Sequence, residues 1–454
     1  MNIIPGLRRH RYLVAVNTFL IAVALSLPGC GPAGDQMVAF PDPSLEMAIR
    51  VALNKTSGSI YASELAGVSG LSAYAEGVED LSGLQYCTNL TSLNLSYNEI
   101  GDISPLADLT NLAYLDLYCN QISDISPLTN LVNLTDLNLS YNQISDISPL
   151  TNLINLTDLN LWLNQVTDIS PLADLTNLTV ISLGWNQIED VSPLANLTNL
   201  VLISLGWNQI DDISPLANLP NLTLLYLSYN QISDISPVAN LTKLTDLHLE
   251  SNQISDISPV ANLTNLTDLN LYSNQIGDIS PLANLTGLTH LYLYSNQISD
   301  MSSLADLKNL THLYLEENQI IDMSPLANLV NLTDLYLEAN QISDISPLSN
   351  LTNLAYLRLQ SNQITDISSL ANLTDLTHIY LQSNQITDIW PLANLANLTV
   401  LHLDDNQISD IGAFVEGDGF GMGDWVFLLG NPLSSDSIDT YIPELEARGV
   451  NVCY

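Results

Sequence analysis

Three sets of residues in this sequence have chemistry to offer. Beyond His10 there are five histidines: His248, His290, His312, His378 and His402. An aspartate recurs every 22 residues from Asp102 and Asp124 to Asp410. Tyr226, Tyr292, Tyr314, Tyr336 and Tyr380 share one phase of that period with Arg358, and Tyr272 and Tyr294 lie two positions further on. Two stacked imidazoles, His290 and His312, suggest a transition-metal pair, but no clear third ligand accompanies them. We read the histidines as solvated groups of a partner-facing surface, with a pH-sensitive contact as the other use. The aspartate ladder invites a calcium array. A short acid just before a Ser-Pro turn is, however, well placed to accept backbone N–H bonds, and we expect that structural role. Tyrosine, tryptophan and arginine combine large contact area with a polar handle, so they anchor interfaces. We therefore assign partner contact to Tyr226, Tyr272, Tyr292, Tyr294, Tyr314, Tyr336, Arg358, Tyr380, Trp185 and Trp207. Two alternatives stay open: a tyrosine ladder that only stabilises a sheet, and tryptophans that only cover Val180 and Leu202. No catalytic motif is present: no phosphate loop, no Cys-x-x-Cys, no His-Glu-x-x-His, no Gly-x-Ser-x-Gly. We expect no enzyme, no cofactor and no metal site.

The elements that must position these residues repeat every 22 residues. The block Leu112 to Asn133 reads LAYLDLYCNQISDISPLTNLVN and recurs without insertion, its asparagine falling at Asn98, Asn120 and onward to Asn406. That makes fifteen regular copies, preceded by a degenerate one with Glu76 at the asparagine position. In Leu115-x-Leu117 the leucines alternate with polar residues, as in a short strand with one buried face. Parallel strands stacked at about 4.8 Å would form a sheet roughly 70 Å long. Asn120 turns the chain inward, and its amide is expected to satisfy backbone groups freed by the turn. Ile122 and Ile125 point to the core. Ser126-Pro127 starts a helical turn, with Ser expected as N-cap. Leu128, Leu131 and Leu134, spaced by three, suit a 3₁₀ turn.

This unit resembles the internalin type of bacterial leucine-rich repeat over about residues 71–411. The resemblance implies an α/β solenoid: a right-handed superhelix with a parallel concave β-sheet and a mostly 3₁₀ or irregular convex side. It also implies ligand contacts on the concave face. Fold follows from it more firmly than function, because the family is defined by architecture. Exposed strand positions fall six, four and two residues before each asparagine, and the assigned tyrosines, arginine and histidines occupy those columns.

Both ends look built to close such a stack. Residues 40–70 read as an N-terminal helical cap, with Asp42-Pro43 as N-cap and first-turn proline, and with Leu45, Met47, Ile49 and Leu53 supplying apolar surface. A second helix is expected around Ser63 to Val68. Residues 412–454 form a C-terminal irregular coil and cap. Glycines at 412, 417, 419, 421 and 423 suggest a loop, and Ile438, Tyr441, Ile442 and Leu445 suggest a helix face kinked or delayed by Pro443. Val450 to Cys453 suggests a last strand.

Residues 1–30 read as a signal peptide: Arg8, Arg9 and Arg11, an apolar stretch from Tyr12 to Leu27, then Leu27-Pro28-Gly29-Cys30. This resembles a bacterial lipoprotein signal, with Cys30 lipidated and residues 31–39 as linker; Pro28 departs from the pattern. The chain carries 9 basic and 48 acidic residues, a net charge of −39. Such a field repels phosphate backbones, which excludes nucleic acid, and leaves membrane contact to the lipid anchor alone. The expectation is a secreted or surface-anchored, extracytoplasmic bacterial protein whose concave face binds a protein. A carbohydrate ligand and a passive envelope role are the alternatives.

Overall fold

The computed structural model describes residues 35–454, so the leader, its arginines and Cys30 lie outside it. The repeat becomes a stack of coils. Each coil opens with a three-residue strand, such as Tyr114–Asp116, in which Leu115 is buried and its neighbours face outward. Eighteen strands form one parallel sheet, from Gly70–Ser72 to Asn451–Cys453. Register is one coil: Leu115 pairs with Leu137, Tyr314 with Tyr336. Side chains of equal phase therefore sit side by side in columns across the sheet.

Leu112, Leu115, Leu117, Ile122, Ile125, Leu128 and Leu131 are at most 1% exposed, and the same seven positions recur in the next coil. One coil is a flat ring with apolar faces above and below, so only its neighbours can remove them from water. The opposite side of the stack is made of short 3₁₀ turns such as Ser126–Leu128 and Ser214–Asn218. The three-residue leucine spacing dictates this, since 3₁₀ geometry puts i and i+3 on one side.

The turn is capped differently from the sequence expectation. Ser126 is the first helical residue, not the cap, and Asp124 Oδ1 accepts its N–H at 2.8 Å. From Asp102 to Asp410 each ladder aspartate accepts the amide two residues on. These bonds hold Asp124, Asp146, Asp212, Asp278 and Asp344 below the usual carboxylate range. No group of three or more His, Cys, Asp or Glu able to hold a metal ion occurs among the described residues.

The asparagine ladder links neighbouring coils. The Asn120 amide donates to the carbonyls of Leu117, in its own coil, at 3.1 Å and of Leu95, in the preceding one, at 3.0 Å. Its Oδ1 accepts from Ile100 N–H at 3.0 Å. The same set recurs through Asn406. The residue just before each asparagine, from Tyr97 to Asp405, has φ between 52° and 60°. None of them is glycine, and each such left-handed residue costs on the order of 1–2 kcal/mol. The adjacent amide bonds offset that cost, and the conformation swings the side chain to the rim of the sheet.

At the front, strand Met37–Val38 pairs antiparallel with Ile60–Tyr61, so the cap begins before Phe40. Helix Pro43–Ala52 buries Leu45 and Ile49, but Met47 faces solvent. Asp42 Oδ1 accepts the amides of Ser44 and Leu45, and its Oδ2 takes Glu79 N–H at 2.8 Å, tying cap to first coil. The second helix is Ala62–Leu65, shorter and earlier than expected. At the back the expected glycine loop contains a helix, Gly412–Glu416, that buries Phe414. Gly417 and Gly419 then pass against the Ala393 carbonyl so closely that neither has room for a Cβ. The last helical segment does not start late but runs through a π turn, Ser437–Tyr441, into helix Ile442–Ala447, with Pro443 just after the π turn; Ile442 and Leu445 are buried, whereas Ile438 is exposed. Cys87, Cys119 and Cys453 are free thiols, and burial pushes the Cys87 thiol up to about 12. No helix among the described residues is long and apolar enough to cross a membrane.

Candidate functional site

The columns of the strand face bring the assigned aromatic residues together in two groups. The first is a stack down the central column. Tyr292 and Tyr314 rings are parallel at 4.7 Å, and Tyr336 meets Tyr314 edge-on at 4.6 Å. The Arg358 guanidinium follows, 4.7 Å from the Tyr336 ring and 4.9 Å from the Tyr380 ring. Tyr380 stacks on His402 at 4.9 Å, and His402 on Phe427 at 4.0 Å. Seven consecutive coils thus contribute one π system or cation each, from Tyr292 to Phe427. Tyr226 starts a shorter stretch, edge-on to His248 at 4.8 Å, which Asn270 separates from the main stack.

Phe427 and its neighbour Trp425 were missed from sequence because the period lengthens at the last coil. The ladder asparagine after Asn406 is Asn431, which takes Ile408 N–H and donates to Leu403 and Leu428 carbonyls. Counting back six and four positions from Asn431 gives Trp425 and Phe427, so the signal was available.

The second group runs along the rim. Tyr74, Tyr97, Tyr118, Tyr141, Trp162, Trp185, Trp207 and Tyr229 touch in sequence, with centroids 3.9–6.2 Å apart. Their geometry follows from column position. Tyr97 and Tyr118 lie one and two places before their asparagines and meet at 87°. Trp185, Trp207 and Tyr229 all lie one place before, so one-coil translation keeps their planes within 21° and 13°. Tyr272 and Tyr294 obey the same rule at 11° and 4.1 Å. Trp185 and Trp207 therefore belong to this rail and not to the tyrosine–arginine stack, and they stay 37% and 36% exposed. Gly184 makes room for the rail: a Cβ there would meet Trp162 Cδ1 at 2.7 Å.

Beside the stack lies a band of carboxylates. Burial pushes Glu316 up to about 8, with the Glu338 charge adding to it and Arg358 opposing it. Glu338 is raised by the same burial despite Arg358 Nη1 3.7 Å away. One oxygen of each of these glutamates, and Arg358 Nε, is buried without a hydrogen bond. His290 and His312 stack at 4.4 Å, and each Nδ1 is held by the preceding threonine hydroxyl at 2.9 Å. His312 Nε2 faces Asp334 at 3.4 Å. That places the pair in a hydrogen-bonded surface network. His378 is lowered by burial and by Arg358. Such a surface offers ordered rings, hydroxyls and carboxylates on a rigid sheet, which suits recognition of another surface.

Known proteins share this architecture. The family described as "Leucine Rich repeats (2 copies)" matches in nine segments between residues 88 and 416. Internalin H of Listeria monocytogenes serovar 1/2a is 42% identical over 65 residues, 14% of this chain and 12% of its own length. The matched segment thus spans about an eighth of that relative. The crystal structure of an internalin, InlF, from Listeria monocytogenes str. 4b F2365 is 45% identical, with a TM-score of 0.69 over 70% of this chain and 95% of that one. A leucine-rich-repeat protein of Leptospira interrogans superposes with a TM-score of 0.73 at 25% identity, covering 87% of this chain and 97% of that one.

Proposed function

The chain belongs to the internalin-type leucine-rich-repeat family, and from that premise we propose that its concave strand face binds a folded protein outside the cytoplasm. Tyr292, Tyr314, Tyr336, Arg358 and Tyr380 are the anchors, extended by His402 and Phe427. The observation that carries this reading is the Arg358 guanidinium held between the rings of Tyr336 and Tyr380. A stacked arginine on a rigid sheet has little rotamer freedom left to lose on binding, so contact energy is kept as affinity. Arginine and tyrosine are also the residue types that dominate interface energetics.

The same geometry favours a protein over a sugar. Carbohydrate stacking needs an open ring face. Tyr292 and Tyr314 cover one another, and Arg358 covers a face each of Tyr336 and Tyr380. What these rings offer is edges and hydroxyls. The role is recognition without catalysis, and Cys30 is the position we assign to lipid anchoring at the bacterial envelope.

The test is capture of partners from the native cell surface by the mature chain, compared with a Tyr314→Ala, Tyr336→Ala, Arg358→Ala variant. The variant should lose the captured protein while keeping the circular dichroism of the parent. Undiminished capture by a folded variant overturns the reading. Micromolar binding on a glycan array, lost in the same variant, would favour the sugar alternative.

A further inference from the structure

A second region of the strand face, away from the tyrosine–arginine stack, carries its own specificity. The column six places before each asparagine reads Val180, Leu202, Leu224, Asp246, Asp268 over five paired strands. The three apolar side chains are only half-buried, and Leu224 pairs directly with Asp246. Beside Val180 and Leu202 the next column carries only Ser182 and Ser204, with Gly206 beyond, and beside Leu224 it carries Tyr226. An apolar strip thus runs straight into an acidic one. At about 4.8 Å per strand, four steps make the strip roughly 19 Å long.

The acidic end is more than a group of surface carboxylates. Glu250 lies two places after His248, just past the end of strand Asp246–His248, and is only 8% exposed. Its Oε2 has no hydrogen-bond partner, and Asp268 Oδ1 has only a long approach from His248. Burial raises Glu250 toward its neutral form, and the Asp268 charge adds to this. The built-in counter-group is His248, whose Nε2 is 3.4 Å from Asp268 Oδ1. Burial disfavours the His248 cation, but the Asp268 bond and the charges of Glu250, Asp268 and Asp246 more than reverse this. Three carboxylates therefore converge on one titratable imidazole, and no lysine or arginine of this chain pairs with them among the described residues. The Tyr226 ring, packed against His248, closes one side, and burial, with the Asp246 and Asp268 charges adding to it, pushes its hydroxyl up to about 12.

We infer that this strip takes an apolar-then-basic segment of a partner protein, with a lysine or arginine head entering among Asp246, Asp268 and Glu250 and apolar side chains lying on Val180, Leu202 and Leu224. The inference rests on the reading that the strand face binds protein, and it names the chemistry of one contact. An ammonium or guanidinium supplies the donor that Glu250 Oε2 lacks and replaces the long His248 approach at Asp268 Oδ1, and the half-buried setting strengthens the pairing over that of an exposed one. The incoming cation competes with the His248 proton, so binding tightens as His248 deprotonates. The groups facing His248 are Asp246 on its own strand, Glu250 just past that strand's end, Tyr226 on the preceding strand and Asp268 on the following one.

The experiment uses a fluorescent leucine–lysine peptide and its leucine–glutamine counterpart, titrated by anisotropy at physiological salt, where exposed charges further apart than about 8 Å are screened. The full chain is compared with an Asp246→Asn, Glu250→Gln, Asp268→Asn variant. A second variant, Asp108→Asn, Asp174→Asn, Asp375→Asn, removes as many charges at exposed positions off the strand face. The lysine peptide should bind the parent, lose roughly tenfold in affinity in the first variant and under about twofold in the second. The glutamine peptide should bind weakly throughout. Equal losses in both variants would mean diffuse attraction and overturn the inference, as would no binding to the parent. Capture of surface partners through the Tyr336–Arg358–Tyr380 stack is measured separately, so the general reading survives or fails on its own result.

Discussion

The hydroxyl of Tyr229 meets that of Tyr272 at 2.8 Å although the two residues belong to coils two apart. The coil between them has Ser251 where an aromatic ring would continue the rail, and Glu250 beside it. The two phenols reach across the gap and join the rail from Tyr74 to Tyr229 with the Tyr272–Tyr294 pair. Burial, the Tyr229 contact and the Glu250 charge all raise the Tyr272 hydroxyl, so it stays protonated and able to donate at every physiological pH.

Tyr272→Phe should therefore lower stability by about 0.5–1.5 kcal/mol, the net worth of one such bond. Tyr229→Phe should cost the same, and the double variant little more than either single one. Urea unfolding of the three variants checks this; additive losses would show that the two hydroxyls act apart.

Removing one ladder asparagine should cost more. In Asn318→Ala the carbonyls of Leu293 and Leu315 and the amide of Ile298 lose their partner in a buried setting. A loss of about 2–4 kcal/mol is expected, from desolvated groups left unsatisfied. Asn318→Asp should be at least as damaging, because a carboxylate turns acceptors toward two carbonyls. Hydrogen exchange should place the new opening in the coils on either side of residue 318, since coils couple only to neighbours.

The ladder aspartates should behave as caps and not as calcium ligands. Asp256 accepts Ser258 N–H at 2.8 Å. Asp256→Ala should cost about 1 kcal/mol, as loss of an N-cap does. Calcium or a chelator should leave the melting temperature of the parent unchanged; a calcium-dependent rise would restore the metal reading.

Stability should peak at mildly acid pH. Glu316 is raised from an ordinary 4.5 to about 8, so the folded chain holds a proton that the unfolded chain has released. That contribution is complete below about 4.5 and is lost as pH rises through about 8. Glu250, Glu338, Asp116 and Asp158, all raised by burial, act in the same direction. Asp124, Asp146, Asp212, Asp278 and Asp344 are lowered from 3.8, so their contribution is present above that value and lost as pH falls below it. Denaturant midpoints across pH should show Glu316→Gln gaining on the parent between about 4.5 and 8 and levelling off above. A constant gap would remove Glu316 as the cause.

Much of this architecture was legible because one leucine lattice governs it. Once Leu115 and Leu117 face inward, Asp116 must face outward, and equal phase puts Tyr314 beside Tyr336. Side-chain contact within a column was harder to read. Spacing does not say that Arg358 lies between two rings, or that Tyr292 and Tyr314 stack while Tyr314 and Tyr336, in the same column, meet edge-on. Nor does composition reveal the left-handed residue before each asparagine: Trp185 and Tyr229 are poor candidates by type, and amide bonds around the following asparagine enforce the conformation. Phe427 escaped because the helix Gly412–Glu416 and the tight glycine passage after it lengthen the last repeat.

Every junction from Asn98 to Asn406 is bonded in the same way, and neither cap touches more than its end of the stack. Recombination that inserts or deletes one whole coil between such junctions leaves all remaining bonds intact. A lineage carrying this gene can thus lengthen or shorten its reach in steps of about 5 Å, moving the arginine sandwich relative to the acidic strip and retuning which ligands span both without inventing new structure.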